Sequence, residues 1–381
     1  MKILIASDSF KGSFSSLQVS NSIERGIKQI IPDAQITKVL VADGGEGTLE
    51  AIVTSVNGFY NEVEVLNPLG NSIIAKYGVI NNDTAIIEMA QASGIMLLND
   101  TQLKPLHTST YGTGQLINDA LNKGFRNIYI GLGGSATNDG GVGMAMALGV
   151  KFYDKDNNGI IFGNIGLAHI DSIDISNINP LIYDSEIVVL SDVNNPLYGE
   201  KGAAYVFGPQ KGASIDEVKI IDNNLKHYAN KLNEFLQIDV SNIPGSGAAG
   251  GLGAGLIAFC KAKVESGADK ILEIIGLEKY IIGVDLVITG EGKIDGQTIY
   301  GKTPIKVSEL AKKHNVFTLA IVGSIGEDAD KVYEYGINMI ASIRDKDMSL
   351  EYAILNVDCL IERVTIKAIK TLLENKKLNL S

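Results

Sequence analysis

The stretch Asp285–Pro304, DLVITGEGKIDGQTIYGKTP, runs from an apolar strand, Leu286–Thr289, through glycines, Glu291, Asp295 and two lysines to a helix start at Pro304. Proline is favoured at the first helical position, where its missing N–H would have no partner anyway. Strand, polar glycine loop and helix start together are how α/β folds build anion sites, because backbone N–H groups and the helix dipole both face the loop. Gly296, Gly301, Lys302 and Thr303 also match the phosphate-loop pattern G-x4-G-K-[ST]. A standard phosphate loop begins directly after its strand, whereas Glu291–Asp295 intervene here. The spacing points to a phosphate or carboxylate site of another design.

The same unit recurs along the chain. Ile3–Ala6 is a strand that empties into Ser7, Asp8 and Ser9, with Lys11 and Gly12 beyond; Val19–Ile31 then has helical periodicity. Ile36–Val41 reads as a second strand, followed by Asp43, Gly44, Gly45, Glu46 and Gly47 and a helix over Thr48–Val56. Such βα units imply a parallel sheet covered by helices. From Tyr60 to Ala90 the texture changes: Glu62–Leu66, Ser72–Val79 and Thr84–Met89 are strand-like and joined by short turns, which predicts antiparallel hairpins. Asn127–Leu132 leads into Gly133, Gly134, Ser135, Asn138 and Asp139, and Glu186–Leu190 into Asp192. Ser214–Phe235 reads as a long amphipathic helix, Gly245–Gly255 is glycine-dense, and Phe317–Val322 and Met339–Ile343 are further buried strands. Clean βα units at both ends around a mixed middle predict an α/β protein of two domains. One is doubly wound and discontinuous, over 1–60 and 275–381; the other is an inserted mixed α/β domain over 61–274.

Composition narrows the function. The chain has 381 residues, 45% of them hydrophobic, and a net charge of −11, which argues against nucleic acid as a partner. Two cysteines and four histidines show no metal-ligand spacing; His227 and His314 fall in polar helix stretches and are expected to be solvated, while His107 lies beside Thr108, Ser109 and Thr110. No apolar run reaches the length of a membrane span or a signal peptide, so a cytoplasmic protein is expected. A G-x-S-x-G elbow and a dinucleotide G-x-G-x-x-G after the first strand are both missing.

Several motifs are similar to those of class I glycerate kinases. They are Asp8-Ser9-Phe10-Lys11-Gly12-Ser13, Val41–Thr48, Gly131–Gly141, Asp192-Val193 with Asn195-Pro196-Leu197, Gly208–Ala213, Gly247–Gly253 and Gly290–Pro304, in the family's order over nearly the whole chain. Ser7 stands where a proline is common and Ser191 where a cysteine is common; Ile343–Met348 is charged where an apolar segment with proline is expected. The resemblance implies a flavodoxin-like domain joined to a restriction-enzyme-like one. It also implies phosphorylation of D-glycerate to 2-phosphoglycerate with ATP and Mg²⁺. Other small hydroxy acids as acceptor, 3-phosphoglycerate as product and a non-catalytic sugar-acid sensor are the alternatives, and a homo-oligomer is compatible with the sequence.

The expected site lies in an interdomain cleft. Asp295 or Asp192 orients the attacking hydroxyl, with Lys302 catalytic beside them. Asp8, Asp43 and Asp192 are the candidate Mg²⁺ ligands, of which one or two are expected to hold the ion. Binding of substrate or nucleotide falls to Asp8, Ser9, Lys11, Gly12, Asp43, Gly44, Gly45, Glu46, Gly133, Gly134, Ser135, Asn138, Asp139, Lys211, Gly250, Gly251, Gly253, Glu291 and Gly301.

Overall fold

The computed structural model describes residues 1–345 and 347–375, so Lys346 of the charged Ile343–Met348 segment lies outside the described residues. The chain divides into two compact units. The first comprises Met1–Asp43, Glu50–Val56 and Ala268–Ser381; the second comprises Gly44–Leu49 and Asn57–Gly267.

The first unit is built on a five-stranded sheet in the order Met339–Ser342, Phe317–Val322, Leu286–Thr289, Lys2–Ile5, Gln35–Lys38. Every pairing is parallel. Numbered along the chain, the order is 2-1-3-4-5, that of flavodoxin-like doubly wound sheets. Alternation along Phe317–Val322 shows both faces covered. Leu319 and Ile321 join the core beneath the helices Ser16–Ile30 and Val357–Glu374, and Ala320 and Val322 join the core around Ile305 and Val332. Ser16–Ile30 starts with a capping box: Ser15 Oγ accepts the Gln18 N–H and Gln18 Oε1 accepts the Ser15 N–H. Val19, Ile23 and Ile27 then recur at i, i+4 and face the sheet. Gly26 lets the helix pair approach, since a Cβ there would sit 2.8 Å from the Glu362 carbonyl oxygen.

The second strand is shorter than its apolar run suggests. It ends at Lys38. Val39–Ala42 is buried, but Leu40 exchanges hydrogen bonds with the Ser55 hydroxyl instead of joining a strand partner beyond the sheet edge. A two-stranded parallel ribbon, Lys293–Ile294 with Ser324–Ile325, is also absent from the sequence reading because two residues carry no period.

The second unit holds a six-stranded sheet in the order Lys263–Glu265, Glu186–Leu190, Asn127–Gly131, Thr84–Glu88, Ser72–Ile80, Phe59–Leu66. The first four strands run parallel and the last two make the expected antiparallel hairpins. Strand order follows chain order throughout, so this sheet never reverses direction. Ile215–Leu236 is capped by Ser214 and Glu217 in a second capping box. Two glycine segments pack backbone on backbone: a Cβ on Gly251 would lie 2.8 Å from Gly140 Cα, and one on Gly255 2.7 Å from the Gly140 carbonyl oxygen. Among the described residues no helix is long and apolar enough to cross a membrane. Cys260 is buried and Cys359 exposed, both as free thiols.

Candidate active site

A doubly wound sheet offers its ligand crevice outside the strand C-termini where strand order reverses. In the first unit that point lies between Lys2–Ile5 and Leu286–Thr289. The loops leaving those strands are Ala6–Gly12 and Gly290–Lys302, and they carry Asp8, Lys11, Glu291, Asp295 and Lys302.

Asp8 is 5% exposed; its Oδ1 accepts the Ser9 N–H at 2.6 Å and its Oδ2 the Thr303 hydroxyl at 3.4 Å. Burial, with Asp43 and Glu291 adding repulsion, holds its pKa well above the carboxylate range against the pull of Lys11. Asp43 meets Lys11 Nζ at 2.5 Å. Desolvation works against the Lys11 ammonium, but Asp43 and Asp8 outweigh it and raise its pKa. Glu291 Oε1 accepts the Thr298 hydroxyl at 2.8 Å and its Oε2 meets Lys302 Nζ at 3.4 Å; burial raises its pKa in spite of Lys302. Lys302 is the N-cap residue of the helix Thr303–Lys313, with Pro304 in its first turn. Gly301, at φ +99°, supplies the left-handed turn before it.

Asp295 stands apart within this unit. Its Oδ1 accepts the Gln297 N–H at 2.9 Å and its Oδ2 pairs with Lys293 at 2.9 Å. Burial opposes ionisation there, yet Lys293 and the Gln297 N–H lower the pKa overall. Asp295 thus forms a turn and an ion pair. Ser9 is half-buried and Gly12 exposed.

The second unit treats its motif residues differently. Gly44, Gly131 and Gly133 pack together: a Cβ on Gly133 would fall 2.2 Å from Gly45 Cα, and one on Gly44 2.9 Å from the Leu190 carbonyl oxygen. Glu46 and Gly134 are exposed, and Ser135 is buried. Asp192 Oδ1 accepts the Gly267 N–H at 2.8 Å. Asp139 is fully buried and accepts hydrogen bonds from the Thr110 N–H and hydroxyl and from the Gly141 and Gly143 N–H groups. Lys211 is 1% exposed and donates to the Thr137 carbonyl at 2.7 Å; burial pushes its pKa down to about 7, with Asp139 opposing. Both polar atoms of the Asn138 side chain are buried without a partner among the described residues. Gly250 abuts the Thr137 carbonyl, where a Cβ would stand 1.9 Å away; Gly251 and Gly253 likewise face backbone. Asp139, Lys211 and these three glycines, expected to touch a ligand, are enclosed by their own protein.

Thr303, part of the G-K-[ST] match, joins the first cluster, and so do Thr298 and Lys293, which were missed because a lone threonine or lysine in a loop carries no period. The two histidines expected in solvent are partnered: His227 Nε2 lies 2.8 Å from the Ile170 carbonyl oxygen and His314 Nε2 2.9 Å from Glu278 Oε1. His107 is exposed.

The family model described as "Glycerate kinase family" matches residues 3–373. The chain belongs to the glycerate kinase family. As a member it is an enzyme, and the resemblance read from its motifs holds over the whole length. It is 47% identical over 362 residues to the glycerate kinase of Halalkalibacterium halodurans, covering 95% of each chain. Identity to the glycerate 2-kinase of Escherichia coli is 47% over 344 residues, 90% of each chain. A crystal structure from Salmonella typhimurium LT2, provisionally named glycerate kinase 2, superposes with a TM-score of 0.84 at 43% identity, covering 99% of this chain and 100% of that one.

Proposed function

We propose that this glycerate kinase transfers the γ-phosphoryl group of ATP to the 2-hydroxyl of D-glycerate, giving 2-phosphoglycerate and ADP. The observation that carries the reading is the gathering of Asp8, Lys11, Asp43, Glu291 and Lys302 at the one point where the first sheet reverses its strand order. The name of the Escherichia coli relative supports the position of transfer.

Mg²⁺ suits this cluster. Asp8 and Asp43 repel one another in a buried setting, as the raised Asp8 pKa reflects, and a divalent cation relieves that repulsion. Among the described residues no set of three or more acidic, His or Cys side chains forms a ready cage. That accords with an ion that takes one or two carboxylates plus substrate phosphates and water. Asp8 and Asp43 would hold it, and bound there it neutralises charge on the transferred group.

The remaining roles belong to the chain's own residues. Lys11 and Lys302 meet phosphate oxygens as point charges, and Glu291 orients Lys302. Of the two carboxylates expected to accept the hydroxyl proton, Asp295 is already bound to Lys293 and Gln297. We give Asp295 the turn that leads to Lys302. The new bond joins the glycerate oxygen to the γ-phosphorus, the bond to the β-phosphate oxygen breaks, and the hydroxyl proton is released to water.

Phosphorus NMR of the protein with ATP, Mg²⁺ and D-glycerate tests this. A phosphomonoester resonance coupled to the C2 proton is expected. A 3-phosphoglycerate signal overturns the position of transfer, and ADP formed only with a longer hydroxy acid overturns the substrate.

A further inference from the structure

The strand Thr84–Glu88 is buried throughout, and its last residue is a carboxylate 3% exposed to solvent. A buried carboxylate is costly unless hydrogen bonds replace its water. Glu88 obtains them from backbone: Oε1 accepts the Gly47 N–H at 3.3 Å and Oε2 the Leu49 N–H at 3.1 Å. These donors belong to the first turn of the helix Thr48–Ser55 and the residue before it, where N–H groups have no helical partner. The usual local side-chain cap is not available, because the residue before the helix is Gly47. A residue 39 positions away does that work.

The opposite end of the loop is fixed by backbone contact. Gly133 N–H donates to the Gly44 carbonyl at 3.4 Å, and a Cβ on Gly131 would lie 2.9 Å from that same oxygen. Between the two anchors Glu46 is exposed, and Asp43 directly precedes the loop.

We propose that Glu88 is a positioning residue for phosphoryl transfer: its carboxylate clamps the far end of the loop Gly44–Leu49 and so fixes the placement of Asp43 and Glu46. The consequence for catalysis rests on the function proposed above; the clamp itself does not. Of the charged groups, Glu46 from the loop and Lys76 from the strand Ser72–Ile80 face Glu88. Burial raises its pKa to about 7, with the two backbone donors and Lys76 opposing and Glu46 reinforcing. The clamp therefore holds fully above neutrality and slackens as the carboxyl gains a proton.

The test compares the full-length wild type with Glu88→Gln, and with Glu88→Asp should the first variant fail to fold. Aspartate keeps the charge but is too short to span both N–H groups. Amide hydrogen exchange without ligand should speed up on the order of tenfold over the loop Gly44–Leu49 and stay at wild-type rates in both sheets, as for a local opening. In kinetics, kcat should fall on the order of tenfold above neutrality, and the gap in kcat/KM between wild type and Glu88→Gln should close as pH falls through about 7. Unchanged exchange in the loop overturns the clamp. Faster exchange with wild-type kcat, KM and pH profile overturns the positioning role. Failure of the kinase reading shows separately, as a wild type that transfers no phosphoryl group to glycerate.

Discussion

Asp8 and Asp139 look alike in sequence, each an aspartate in a loop that leaves a buried strand, with a lysine assigned to the same site. In the folded chain they have opposite lives. Asp8 sits at the strand reversal of a doubly wound sheet among Asp43, Glu291 and Lys11, so its charge is contested by neighbours. Asp139 sits beside a sheet that never reverses, and four protein donors saturate its two oxygens. A carboxylate with its lone pairs already filled is a structural bolt; one whose charge is unresolved is ready for a ligand. Topology separates the two: a reversal leaves a crevice between diverging loops, while a sequentially ordered sheet lets loops close over one another.

The largest effect that could break this contrast is on folding. Asp139→Asn replaces one acceptor oxygen with an NH₂ group aimed at backbone N–H donors. Each buried donor left unpaired costs about 1–3 kcal/mol, so a loss of about 3–5 kcal/mol is expected. Urea unfolding reads it directly. A variant with wild-type stability and lost activity would move Asp139 from bolt to ligand group.

Asp8→Asn should behave in the reverse sense. Removing a carboxylate that repels Asp43 leaves the fold intact or slightly steadier, while kcat/KM with ATP and Mg²⁺ drops by about 10²–10³, the usual scale for a lost charge contact at the transition state. Thermal unfolding and steady-state rates on one preparation decide it. A stability loss as large as that of Asp139→Asn would make the two loops equivalent and remove the strand reversal as the guide to the site.

Much of this was legible in the sequence. The strands Lys2–Ile5, Leu286–Thr289 and Phe317–Val322 are continuous apolar runs because both faces of their sheet are covered. Polar residues follow them because loops at strand ends face water or ligand. Enclosure was illegible. Lys211 and the Gly250–Gly253 segment read as an anion site since lysine and glycine are what such sites use. The structure adds that Gly250, Gly251 and Gly253 each abut neighbouring backbone, a close approach that the sequence does not show. Glu88 was missed for the opposite reason: it ends an apolar run, and one acid after four buried positions passes as a strand terminus. For Asp295, an aspartate before glycine serves equally as base or turn former, and its ion-pair partner, Lys293, lies two residues away on a ribbon too short to show a period.

The smallest effect sharpens the sealed side of the comparison. Lys211 has an ammonium with one oxygen acceptor, and burial lowers its pKa to about 7 from the free value of 10.5. Between those two values the unfolded chain holds a proton that the folded chain has released. Stability therefore rises with pH across that window and is flat below it. The slope is at most about 1.4 kcal/mol per pH unit from this group. Other groups also titrate, so the useful quantity is the difference from Lys211→Met, which keeps the length and removes the titration. Wild type should gain on the variant by about 1–3 kcal/mol between pH 7 and pH 9 in denaturant unfolding. A difference constant over that range would mean that Lys211 stays charged with Asp139 as its counter-ion. The enclosed cluster would then hold a permanent ion pair, and its likeness to the Lys11–Asp43 pair of the open cluster would extend beyond sequence.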